Sequence, residues 1–175
     1  EHGADVVAAD SRKDLAFVLR NMGEIEEAGQ YFQEAIRRLE TLAAVSREPS
    51  TVNLLLTHAL GGWASIDIVR GRYDLADPKL RRAIPLAIAA RGMNHPITAQ
   101  LFVDLGNVYD SQRRWEEATP YYRAALEAYE ESLGPQHPET MKAIVSLARM
   151  LRFQDKPIEA TRLLRRAVES RSAVL

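Results

Sequence analysis

Four histidines are the side chains of this 175-residue chain best suited to moving a proton or holding a metal, and there is no cysteine. The missing cysteines exclude disulfides, thiolate zinc sites and thiol nucleophiles. No His-Glu-x-x-His pair, glycine-rich phosphate loop or Gly-x-Ser-x-Gly elbow occurs. His95 and His137 lie 42 residues apart, each directly before a proline, a place that suits capping a helix start better than acid–base work. His2 stands near a terminus, and His58 has no neighbour in sequence that would complete a catalytic pair. The expectation is therefore a protein without catalytic residues, metal or cofactor.

What remains is recognition chemistry. Amides, charges and isolated apolar groups recur on one side of four amphipathic segments. They are Asp10, Lys13, Phe17, Arg20 and Asn21; His58, Gly61, Ser65, Ile68 and Val69; Gln100, Val103, Asn107, Asp110 and Ser111; and Lys142, Val145, Arg149, Arg152 and Phe153. Such a mixture suits an extended peptide. Asn107 can hydrogen-bond a backbone in both directions, while Phe17, Ile68 and Phe153 can hold side chains.

These residues must be positioned by a repeat. Ala76, Ala118 and Ala160 follow one another at 42-residue intervals, and Ala28 precedes Ala76 by 48. The six extra residues of the first interval are expected in the connection at residues 41–51. Each unit reads as two amphipathic helices. First helices carry an apolar column of Leu15, Ala16 and Leu19; Trp63 and Ala64; Leu105, Gly106 and Tyr109; and Leu147, Ala148 and Leu151. One turn earlier stand Leu60, Phe102 and Ile144, on the same helical face. Second helices repeat Ala28, Phe32, Ala35 and Ile36; Ala76, Leu80, Ala83 and Ile84; Ala118, Tyr122, Ala125 and Leu126; Ala160, Leu164, Ala167 and Val168. The alanines allow close helix approach and the larger residues fill the grooves. Gly23, Gly71 and Pro157 break the chain inside hairpins, while Gly92 and Gly134 stop helices before Pro96 and Pro138 start the next.

Lys and Arg number 23 against 24 Asp and Glu, a formal charge of −1. That balance supplies no basic field for nucleic acid. Arg81, Arg123 and Arg165 recur every 42 residues, but acids lie close by and the stripe reads as a solvated, partly paired face. No apolar run such as residues 83–90 reaches the ~20 residues of a membrane span, so no membrane partner is expected and a cytoplasmic place is.

The column from Leu105 and Gly106 through Tyr109, Trp115, Ala118, Tyr122, Ala125 and Leu126 resembles the tetratricopeptide repeat. The 42-residue period, with Gly134, His137, Pro138 and Thr140 in the connection, resembles the longer repeat of kinesin light chains. The resemblance implies an all-α, right-handed α-solenoid of about four helix-turn-helix repeats, at 4–48, 49–94, 95–136 and 137–175. It implies too a peptide- or protein-binding scaffold whose first helices line a concave groove. The groove residues are then Lys13, Phe17, Arg20, Asn21, His58, Ser65, Ile68, Gln100, Val103, Asn107, Asp110, Lys142, Arg149, Arg152 and Phe153. The carboxylate clamp of chaperone-binding members is not carried over, because Phe17, Gly62 and Asp104 replace its asparagine and basic positions. Asp67 departs from a column otherwise held by Leu19, Tyr109 and Leu151. At the C-terminus Leu163, Ala167, Val174 and Leu175 are expected to face a further repeat or a second chain. Self-assembly as a homo-oligomer, or a regulatory part within a longer protein, are the rival expectations.

Overall fold

The computed structural model describes residues 2–46 and 49–172. These form helices α1 (His2–Met22), α2 (Ile25–Ala43), α3 (Pro49–Val69), α4 (Tyr73–Arg91), α5 (Pro96–Ser111), α6 (Trp115–Leu133), α7 (Pro138–Phe153) and α8 (Pro157–Ser172). Among the described residues there is no strand. The chain divides into two compact units, Glu1–Arg91 and Gly92–Leu175. In the first, α1 packs on α2, α2 on α3 and α3 on α4, with α1 also reaching α3. In the second, α5, α6, α7 and α8 pack in succession. All-α hairpins in tandem are thus the architecture.

The repeating columns are its core. Ala28, Phe32, Ala35, Leu80, Ala83, Tyr122 and Ala125 are completely buried, and Leu60, Phe102, Leu105, Ile144, Leu147 and Leu151 nearly so. A single hairpin buries too little apolar surface to offset the entropy of ordering it, so neighbouring hairpins supply the balance. Close approach depends on missing side chains. A β-carbon on Gly62 would lie 2.6 Å from Phe32 Cζ and 2.8 Å from the Phe17 ring, and one on Gly106 would lie 3.0 Å from the Tyr122 ring.

All four hairpins turn in the same way. Gly23, Gly71, Arg113 and Asp155 occupy one column and all have positive φ, at 88°, 70°, 58° and 56°. The next residue's N–H reaches back five positions, from Glu24 to Leu19 O, Arg72 to Asp67 O, Arg114 to Tyr109 O and Lys156 to Leu151 O, at 2.8–2.9 Å. The positive-φ residue itself bonds to the carbonyl three back in each case, for example Gly23 N to Arg20 O at 3.1 Å. This is the Schellman closure of a helix C-terminus. Glycine announces it in the first two hairpins. Arg113 and Asp155 give no such sign.

Between hairpins, the two histidines cap as their position implies. His95 Nδ1 accepts from Ile97 N–H and His137 Nδ1 from Glu139 N–H, both at 3.2 Å. Buried Thr98 and Thr140 donate to the carbonyls of Gly92 and Gly134, at 2.9 and 2.8 Å. Acids gather in the first turns of second helices, Glu26 and Glu27, Asp74, Glu116 and Glu117, and Glu159, where the helix dipole favours them.

Four expectations are corrected. The inserted residues do not lie in the 41–51 connection alone: Leu54 matches Pro96 in the 42-residue period, yet α3 already starts at Pro49, so the insertion mainly lengthens that helix. Leu15 is 41% exposed rather than core; among the described residues α1 packs on α2 and α3 alone. The span 49–69 is apolar and long enough to cross a membrane by composition, although shorter runs alone were anticipated; half of the relevant window is buried within the fold, as befits a helix packed between neighbours. Finally, α8 turns Ala167 inward and leaves Leu163 half-buried, while Leu164 and Val168 stand 37% and 66% exposed. Val174 and Leu175 lie outside the described residues.

Candidate peptide-binding faces

In the first unit, the anticipated site residues are largely engaged with one another. Lys13 is only 8% exposed, its ammonium held by Asp10 at 2.9 Å and Asp14 at 2.7 Å. Burial opposes its charge, but these two carboxylates more than compensate and its pKa is raised. Phe17 meets Phe32 edge to face at 5.0 Å and carries the Arg20 guanidinium over its ring at 5.0 Å. Arg20 also donates to Ser65 Oγ at 3.0 Å and to Asn21 Oδ1 at 3.1 Å, joining α1 to α3. His58 is half-buried; burial first, and the Lys13 charge second, push its pKa down, favouring the neutral imidazole. Ile68 is half-buried near the end of α3. The face is mostly self-satisfied.

Asp67, the departure from the apolar column, is 1% exposed. Lys79 and Arg72 each approach it to 2.8 Å, and the Lys79 ammonium lies 4.1 Å from the Trp63 ring centre. Sequence position marked this residue as odd but gave no sign of its partners.

The second unit is arranged differently. Along α5, Gln100, Val103, Asp104, Asn107 and Asp110 follow at helical spacing, and each amide is oriented by a tyrosine of α6. Tyr129 donates to Gln100 Oε1 at 3.1 Å, and Gln100 Nε2 donates to Asp104 Oδ1 at 2.9 Å. A carboxylate only accepts, so the Gln100 amide has one consistent orientation. Tyr122 donates to Asn107 Oδ1 at 2.6 Å while its own oxygen takes a hydrogen bond from Arg149. That arrangement directs the Asn107 Nδ2 donor away from Tyr122. The Asn107 carbonyl keeps a second lone pair, so the amide can still both donate and accept. Burial, with Asp110 as the next cause for Tyr122 and Glu139 for Tyr129, pushes both hydroxyl pKa values up, so both remain proton donors.

From α7, Arg149 pairs with Asp110 and Lys142 with Glu139, the latter at 2.8 Å. Val145 stands between them in sequence and is 58% exposed. Arg152 is exposed at the end of the same helix. Phe153 stacks on Trp115 at 4.6 Å and so belongs to the α6–α7 corner, where Gln154 also donates to Trp115 O at 2.9 Å. Asp104 entered the sequence reading only as a mismatch to a clamp. Burial pushes its carboxyl pKa up to about 6, partly opposed by the Gln100 hydrogen bond. Among the described residues no group of three or more His, Asp or Glu is placed to hold a metal ion.

The tetratricopeptide repeat profile matches residues 8–43, 54–131 and 101–173. No curated protein sequence matches the chain. Its fold is similar to that of apo RapI, with TM-score 0.78 at 17% identity over 93% of this chain; the chain spans 55% of RapI's length. It is also similar to a kinesin-light-chain-like protein of Podosopora anserina with nearly identical TPR-like repeats, TM-score 0.75 at 18% identity, covering 94% of this chain and 75% of that one. A third similar structure is BtubC (BKLC) from P. vanneervenii, TM-score 0.63 at 17% identity, covering 97% and 82%. Helical hairpins at a 42-residue period, closed by one recurrent turn and matched along most of their length by this profile, show that the chain belongs to the tetratricopeptide repeat family.

Proposed function

We propose that the chain is a non-catalytic scaffold that holds an extended segment of a partner protein, with the open side of α5 and α7 as the best-prepared surface. One observation carries this reading. Tyr129 and Tyr122 fix the amides of Gln100 and Asn107 on α5 in defined orientations, and α7 offers an exposed apolar residue, Val145. Polar groups ordered before binding lose less entropy when a ligand arrives, and that is how a groove gains affinity from few contacts. Their spacing along a helix suits the repeating backbone of an extended peptide. The first unit contributes in this reading through Arg20, Asn21, His58, Ser65 and Ile68, and less through Lys13 and Phe17, whose groups are already engaged.

Selection from a displayed random-peptide library tests it. Selected peptides should bind the wild-type chain and lose about tenfold in affinity on Asn107→Ala combined with Arg149→Ala, the ~1.4 kcal/mol expected for a hydrogen bond or two. Tyr122→Phe should also weaken binding, with helicity by circular dichroism retained. Peptides that keep their affinity for both variants would refute the assignment. A second reading, self-association through α8, is favoured by Leu164 and Val168, exposed where their counterparts Tyr122 and Leu126 are buried. Sedimentation velocity decides it: a monomer at the highest accessible concentration excludes it.

A further inference from the structure

We propose that Asp104 anchors a lysine or arginine side chain of the bound segment, so that the second unit selects basic partners. This rests on the scaffold reading above and names the chemistry of its partner. Asp104 differs from the other acids of these faces. Asp10 and Asp14 share Lys13, Asp67 has Lys79 and Arg72, Asp110 has Arg149, and Glu139 has Lys142. Asp104 is half-buried, and its hydrogen bond comes from a neutral amide, Gln100 Nε2 at 2.9 Å. No cation among the described residues lies within ion-pair distance of it.

A half-buried carboxylate with no cation has an unfavourable environment for its charge, and an arriving cation relieves it. The surroundings suit a long basic side chain. Val103 precedes Asp104 on α5, and Val145 holds the matching position on α7, 42 residues on. Apolar groups on the faces of α5 and α7 can accept the methylene stem of such a side chain while its charged head reaches the half-buried carboxylate. Asn107 lies one turn further along α5, with its amide donor available for a carbonyl of the peptide.

Charge coupling follows in sign. The titratable groups that interact with Asp104 from α6 are Tyr122 and Tyr129, both kept neutral by burial, and the cations of α7, Lys142 and Arg149, are held by their own acids. Pairing with a cation favours ionised Asp104, so affinity should rise with pH. With the free carboxyl at about 6, binding at pH 5 should be roughly tenfold weaker than at pH 7.5, the fraction ionised setting the ratio.

The test uses fluorescent nonapeptide pools, random except for one position fixed as Lys, Arg, Glu or Ala, titrated by anisotropy against the whole chain. Lys and Arg pools should bind about tenfold more tightly than the Glu pool. The preference should vanish in Asp104→Asn, an isosteric change that keeps the Gln100 contact, and return in Asp104→Glu. Equal binding of basic and acidic pools, or a basic preference that survives Asp104→Asn, overturns the anchor. If such pools still weaken with Asn107→Ala, the scaffold reading stands without it. Pools indifferent to Asn107→Ala and Asp104→Asn together sink both.

Discussion

Replacing Lys79 by methionine probes whether the buried charge at Asp67 is a structural device or a burden. Asp67 is 1% exposed and sits where Tyr109 and Leu151 fill the same column in later repeats. Two cations reach it at 2.8 Å, but Lys79 is largely enclosed, its side chain 14% exposed, and Arg72 is 39% exposed. Lys79→Met removes the better-shielded partner and leaves the weaker one. Stripping a buried ion of its sole partner costs about 3–5 kcal/mol. With Arg72 remaining, the loss should fall to about 2 kcal/mol, that of one charged hydrogen bond. The Lys79–Trp63 contact adds ~0.5 kcal/mol, partly recovered by methionine packing on the ring. Adding Asp67→Leu should then restore the protein to within ~1 kcal/mol of wild type or better, because a well-packed apolar residue commonly equals a buried ion pair. Leucine is the residue that Leu151 already places in this column, and the Asp67 carbonyl that closes the turn to Arg72 N–H at 2.8 Å is untouched. Urea denaturation followed by circular dichroism gives the four corners of the cycle. A double variant less stable than Lys79→Met alone would refute the reasoning, since leucine would then fail to fill what the ion pair occupies.

Three further outcomes follow from particular residues. At the recurrent turn, Arg113→Gly and Asp155→Gly should each stabilise by about 0.5–1 kcal/mol, because their positive φ disfavours a side chain, and Gly23→Ala should destabilise by a similar amount; denaturation midpoints would show the opposite signs. Gly62→Ala should destabilise by about 1–3 kcal/mol through overpacking against Phe17 and Phe32, whereas Gly29→Ala, whose β-carbon would meet only Trp63 Nε1 at 3.8 Å, should be tolerated; thermal melts of the pair compare them. Asp104→Asn should stabilise the chain by about 1 kcal/mol at pH 8, after discounting the shift for partial exposure. The folded carboxyl is raised to about 6 from 3.8, so protonation favours the folded state between these values and the advantage of asparagine should disappear below pH 4; unfolding curves at pH 8 and 3.5 test this.

The alanine columns made the helices legible because helix pairs tolerate only small residues where backbones approach, and the 42-residue spacing of Ala76, Ala118 and Ala160 repeats that demand. Gly23 and Gly71 likewise disclose their turns, whereas Arg113 and Asp155 adopt the same conformation under the pull of the surrounding hairpin, which overrides residue preference. Period alone misplaced the insertion, since nothing in a count of residues says whether six more become loop or helix; the apolar run at Leu54, Leu55 and Leu56 lets α3 extend. The candidate site was legible as a row of exposed side chains on α5 and α7 but not as an arrangement. Tyr129 reaches Gln100 and Tyr122 reaches Asn107 across a helix pair; the sequence columns mark Tyr122 only as core and do not single out Tyr129. Their rings are core, and their hydroxyls orient the surface. The same residue that buries apolar area thus fixes the polar face above it. For that reason a tyrosine-to-phenylalanine change at Tyr122 or Tyr129 separates the two roles: packing survives, and the orientation of the face is lost.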